Sequence, residues 1–375
     1  MSNNINNSKR LMWPDALKGM AILIVLFGHS GAQSDSDAIS LIFRMIYSGF
    51  EMFFIITGFF AYSSAEHFFA KNDFNFKNLC KWWGKKFQRL IPVYYVALVV
   101  YFIYNRGMMV ISASDAPMHV SIGNILMHLL LLHGLFPTYC CTIVSVEWYV
   151  GILVLFYLII PFVYYFVKNI QGAFAFLICT YGANVLANRF VMSFIIPNNN
   201  GMLYVSFFTR FWIFAHMPTF ALGVLLYYLS KRDYSELKHP KAYSLMLILF
   251  VIVMDYGQAA GVNTLAGWND YTVEAIWFMI LIYSQILWSN PIICNRFFGF
   301  LGRYSYPMYL FHILIYHLYD SYIHIGIENG VALYFIRFVA VLVVTVLISV
   351  ALTKFIDDPM QKVISGFFKK RRANE

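Results

Sequence analysis

Lys18 and His29 stand eleven residues apart in an otherwise apolar stretch, Asp15-Ala-Leu-Lys-Gly-Met-Ala-Ile-Leu-Ile-Val-Leu-Phe-Gly-His29. Eleven steps of about 100° return a helix to nearly the same face, so both side chains would look into one groove. Along the axis they would lie about 16 Å apart, roughly half the hydrocarbon thickness of a bilayer. Lys18 is then expected near one membrane surface and His29 well inside. A neutral imidazole in a helical bundle suits proton acceptance near pH 7, and an ionisable group at membrane depth points to function. The plain alternative is a packed histidine bonded to a neighbouring helix.

Other polar residues fall where a membrane would be apolar: Glu147, Arg189, Arg210, Asp255, Glu274, His312 and Arg337. Charges there must pair or line a wet cavity, because an isolated one costs several kcal/mol. They read either as structural ion pairs or as the lining of an outward cleft for a polar acceptor such as a sugar. On the opposite side, the run from Cys80 to Pro92 sets Lys81, Lys85, Lys86 and Arg89 beside two tryptophans. That mixture fits an anionic lipid surface, and it equally fits the phosphates of a nucleotide-like donor.

These residues have to be positioned by a membrane protein. Hydrophobic residues make up 60% of the 375 and charged residues 12%, with a mean hydropathy of +0.65, which excludes an ordinary soluble domain. Runs long enough to span fall near 16–34, 40–62, 88–105, 147–167, 172–196, 207–229, 243–260, 271–288, 304–324 and 331–355. The expected fold is therefore all-α, a polytopic bundle of about ten transmembrane helices with both termini cytoplasmic. The short run 122–136, with His128 and His133, is read as a re-entrant or interfacial piece, and the long 106–146 connection as a lid or substrate loop. With ten spans, Lys and Arg fall almost wholly on one side, so the net charge of +9 is topological and nucleic acid is not an expected partner. The chain divides into a tail at 1–15, a membrane domain at 16–360 and a basic tail at 361–375. The five cysteines have no metal spacing, and no phosphate loop is present, so no metal and no bound cofactor are expected.

Several ordered motifs carry a resemblance. Lys18 and His29 match an Arg, ten residues, His pattern, and Phe53-Phe-Ile-Ile-Thr57-Gly58-Phe59 matches Phe-Phe-x-x-Ser-Gly-Phe. Arg89-Leu-Ile-Pro92, Val146-Glu147-Trp148-Tyr149 and Phe220-Ala-Leu-Gly223 follow in order, and Phe300-Leu-Gly302-Arg303-Tyr-Ser305-Tyr306-Pro-Met-Tyr309-Leu-Phe-His312 completes the set. Together they resemble the membrane-bound acyltransferase-3 family of bacterial envelope-glycan O-acyltransferases. Lysine replaces arginine at 18, Thr57 replaces serine with its hydroxyl kept, and Pro307 falls in the first turn of a helix.

The resemblance implies transfer of an acyl group, usually acetyl, from cytoplasmic acyl-CoA to a hydroxyl of an envelope glycan or lipid-linked sugar, in the bacterial inner membrane. Acetyl-CoA would be a co-substrate. His29 would be the general base, Lys18 would hold donor charge, and Glu147 and His312 would orient His29 or position the acceptor. Arg89, Lys85, Lys86 and Arg303 would grip the donor. His312, Tyr309, Ser305, Thr57 and Arg210 would support the acceptor. A transporter or flippase of a lipid-linked glycan, or a non-catalytic component of polymer export, is the rival reading.

Overall fold

Away from water, each backbone amide must find its partner within its own segment, which drives long apolar runs into helices. The computed structural model describes residues 12–30, 49–112, 121–136, 138–195, 209–261, 270–323 and 330–373, and among them there are helices and no strands. The first half comprises α1 (Met12–His29), α2 (Phe50–Phe69), α3 (Phe76–Ser112), the short α4 (Ile122–Leu129), α5 (Trp148–Phe166) and α6 (Ile170–Phe190). There follow α7 (Ile213–Ser230), α8 (Pro240–Ala259), α9 (Asp270–Leu287), α10 (Arg296–Arg303), α11 (Ser305–Tyr322), α12 (Gly330–Leu352) and α13 (Asp358–Ala373).

Among the described residues, six helical stretches are long and apolar enough to cross a membrane, beginning at Phe76, Trp148, Ile170, Ile213, Pro240 and Gly330, where about ten were expected. Helices α1, α2, α9 and α11, expected as spans, are not among them. Of these, α1, α2 and α11 carry polar side chains of the site and are largely buried in the middle of the bundle. By contrast α6, α8 and α12 turn apolar residues outward, as a lipid-facing rim would.

Three expectations about boundaries change. The basic stretch ahead of Pro92 is not a loop: α3 runs unbroken from Phe76, because Lys, Leu, Gln and Arg are good helix formers and a membrane helix tolerates one proline. The C-terminal tail is helical as well, joined to α12 by a π-turn at Thr353–Asp357. Finally, an eight-residue helix, α10, precedes α11 and is capped by Asn295, whose side chain accepts from Phe298 N at 3.0 Å. The expected tail at 1–15 lies outside the described residues up to Leu11.

Two glycine contacts set the site's frame. Gly19 of α1 and Gly302 of α10 face one another so closely that a Cβ on Gly302 would stand 1.7 Å from the Asp15 carbonyl oxygen. Gly58 of α2 and Gly223 of α7 do the same, a Cβ on Gly223 falling 2.3 Å from the Ile55 carbonyl oxygen. Backbones this close admit no side chain, so the motif glycines are packing contacts. The far end of α1 is held by hydroxyls: Tyr316 donates to the Leu26 carbonyl at 2.8 Å and Tyr334 to that of Phe27 at 2.5 Å. Arg337 donates to the Ser30 carbonyl and pairs with Asp320.

Candidate active site

A cavity of about 940 Å³ opens at the Lys18 end of α1. Helix α1 supplies Lys18 and Asp15, α2 supplies His67, and α3 supplies Lys85, Lys86 and Arg89. Four cations against one carboxylate make the wall positive, and like charges held this close favour an anionic occupant. Aromatic rings support them: the Lys18 ammonium lies 5.9 Å from the Phe60 centroid, Lys85 5.0 Å from Phe68 and Lys86 5.0 Å from Trp82. The indole N–H of Trp82, which also lines the cavity, is buried without a hydrogen-bond partner. Gln361 of α13 closes the wall through reciprocal amide bonds with Gln88, at 2.9 and 3.4 Å. Size and charge together fit a multiply phosphorylated ligand.

Helix α1 ends on His29, whose ring is exposed and stands 5.1 Å from the ring of the fully buried His312 on α11. His312 Nδ1 donates to the Tyr309 carbonyl at 2.6 Å, while its Nε2 has no partner. Tyr101 of α3 fixes this turn of α11 by inserting its hydroxyl into the backbone ladder: it donates to the Leu310 carbonyl and accepts from Leu314 N, both at 3.0 Å. The Tyr309 ring packs on Tyr149 at 5.0 Å, and its hydroxyl is also buried and unpartnered. Thr57 stands on α2 and is half-buried. Helix α1 thus carries Lys18 at the cation cavity and, eleven residues on, His29 beside His312; the residues that line the cavity stop short of the two imidazoles.

Glu147 sits elsewhere. It is fully buried and accepts from the backbone amides of Thr142 at 3.0 Å and Val144 at 3.2 Å, and His128 Nε2 pairs with its Oε1 at 2.7 Å. His128 Nδ1 donates to the Asn124 carbonyl at 2.7 Å, and His133 stacks on His128 with ring centroids 4.8 Å apart. Among the described residues, none of the hydrogen bonds of Glu147 reaches His29. Its carboxylate instead ties α4 and the 142–144 turn to the start of α5, and its backbone carbonyl accepts from His133 Nε2 at 3.1 Å. Burial pulls His133 below the usual histidine value, outweighing the opposite pull of Glu147. The described part of the 106–146 connection, expected to be a lid or substrate loop, is therefore pinned by buried bonds.

This ordered arrangement of motifs extends through the chain, and residues 11–354 match the family model described as an acyltransferase domain. The chain belongs to the acyltransferase-3 family. No curated protein and no solved structure matches it. Within this acyltransferase, Lys18, Lys85, Lys86 and Arg89 come together, as do His29, His312 and Tyr309. Arg303 is exposed at the end of α10, outside the residues that line the cavity. Ser305 donates to the Gly302 carbonyl at 2.9 Å and starts α11. The side chain of Arg210 is exposed, and its carbonyl accepts from His216 Nε2 at 3.1 Å.

Sequence reasoning missed His67 and Gln361 in the cavity wall. It also missed a second buried pair, Glu51 with His216 at 2.9 Å, walled by Phe54 and Trp148. Only Glu51 carried a signal, as an acidic residue one position into an apolar helix.

Proposed function

We propose that this membrane acyltransferase moves an acyl group, most simply acetyl, from cytoplasmic acyl-CoA to a hydroxyl of an envelope glycan in the bacterial inner membrane. The observation that carries the reading is the pairing of a phosphate-sized cationic cavity with two imidazoles at the far end of the same helix. Both termini face the cytoplasm in this reading, because the basic segments then share one side. Arg89, Lys85 and Lys86 take the CoA phosphates, with Arg89 able to do so bidentately, and Lys18 holds charge at the inner end of the cavity. The pantetheine arm runs along α1 toward His29. There the thioester carbonyl meets the acceptor hydroxyl, and His29 removes the hydroxyl proton as the carbon–oxygen bond forms.

Mass spectrometry of envelope glycans from a deletion strain tests this reading. A glycan should lose an acyl group of defined mass and regain it when the wild-type chain is restored but not with His29→Ala. Glycans that are identical in the deleted and parental strains would contradict it.

A further inference from the structure

Among the described residues, two polar atoms one turn apart on α11 are buried without a hydrogen-bond partner: Nε2 of His312, whose ring faces that of His29, and the hydroxyl of Tyr309. The residues lie three apart on α11, so they share a face, and their rings stand 5.7 Å apart. Unsatisfied polar atoms are unfavourable in a low-dielectric interior, and folded proteins keep few of them. Phenylalanine at 309 would fill nearly the same space and leave no atom orphaned. Two such atoms on one face, one of them on the ring that faces the proposed base, mark a place where something else makes the missing bonds.

The two atoms differ in kind. With Nδ1 donating to the Tyr309 carbonyl, Nε2 of a neutral His312 carries a lone pair and can only accept, whereas the Tyr309 hydroxyl can donate. The ring of His29 faces His312 at a centroid separation of 5.1 Å and an interplanar angle of 47°, and its N–H can serve that lone pair. Two imidazoles joined nitrogen to nitrogen at about 2.9 Å would have centroids about 5 Å apart. The pair already stands at that separation. A turn of the exposed His29 ring about its Cβ–Cγ bond then completes the contact.

Resting on the acyl-transfer reading, we propose that Tyr309 and His312 complete the catalytic centre: His312 Nε2 accepts the ring N–H of His29, and the Tyr309 hydroxyl donates to the thioester oxygen. His312 is a positioning residue, since it fixes which His29 nitrogen is bare. Tyr309 is a catalytic residue that touches the reacting group. The acceptor oxygen attacks the thioester carbon while the bare His29 nitrogen takes the hydroxyl proton. Charge moves onto the carbonyl oxygen, where the Tyr309 O–H stabilises it. Collapse re-forms the carbonyl and breaks the carbon–sulfur bond, and the departing thiolate takes the proton back from His29. The products are an ester and a free thiol, with both histidines and the tyrosine unchanged.

The test uses full-length protein in its native membranes, labelled acetyl-CoA as donor and the endogenous glycans as acceptor. Tyr309→Phe should lower kcat about 100-fold, the size of losing one oxyanion donor, with KM for acetyl-CoA unchanged. Its melting temperature should hold or rise, because an orphaned hydroxyl has been removed. His312→Ala should lower kcat at least about tenfold at unchanged KM, and His312→Gln, which restores an acceptor, should recover part of the loss. Wild-type kcat in Tyr309→Phe, or His312→Gln no better than His312→Ala, overturns the proposal. An inactive wild type, or full activity in His29→Ala, would instead overturn the acyl-transfer reading beneath it.

Discussion

Lysine at position 18 brings a compact point charge to the cavity where the family pattern has a planar fork. If charge alone is used there, Lys18→Arg keeps its rate, while Lys18→Ala raises KM for acetyl-CoA about tenfold, as loss of one charge-assisted contact would. A steady-state titration with acetyl-CoA checks both. Arg89→Ala should weaken CoA binding by a similar factor, and the difference from wild type should shrink in high salt, because exposed charges are screened. Glu147 teaches the opposite lesson. In sequence it stands among motif residues and reads as a group that orients His29 or positions the acceptor. Its bonds to His128 and to the amides of Thr142 and Val144 make it the anchor of a buried segment. Glu147→Ala strands His128 and should cost about 3–5 kcal/mol, measured as a fall in thermal stability along with early proteolysis between 121 and 146. Nothing in a linear pattern distinguishes a carboxylate that meets substrate from one that meets amides five residues away.

At the scale of elements, the long apolar helices were legible because a membrane leaves the chain little choice. Short pieces were not. Helix α10 is eight residues of mixed polarity, and only its contact with α1 at Gly19 and Gly302 gives it a place. Gly302→Ala should destabilise the protein by about 1–3 kcal/mol or more, since backbone and not a flexible side chain blocks the new methyl group. A thermal melt in detergent measures this. The α4 segment makes a prediction about pH. With the folded value of His133 below its unfolded one, the unfolded chain binds more protons, so stability is lost as pH falls through the usual histidine range and then toward the folded value. Hydrogen-exchange protection in residues 121–136, corrected for the intrinsic rate at each pH, should therefore fall between neutral pH and about pH 5. Equal protection at both would remove His133 as the cause.

For the whole molecule, the eleven-residue spacing of Lys18 and His29 showed that one helix face joins two stations about 16 Å apart. It could not show what surrounds them. The partners come from α2 and α3, tens of residues away in sequence, and from α11 and α13, hundreds away, and helix faces meet by packing that no local pattern encodes. The account therefore stands on one substrate that reaches both stations: CoA phosphates held at one, thioester opened and proton moved at the other. Purified wild type and His29→Ala, each given labelled acetyl-CoA and isolated envelope glycan, measure this most directly when CoA binding is read in the same samples. The account predicts equal CoA affinity in the two proteins and label transferred to glycan by the wild type alone. Equal transfer by both, or no CoA binding by either, would contradict it.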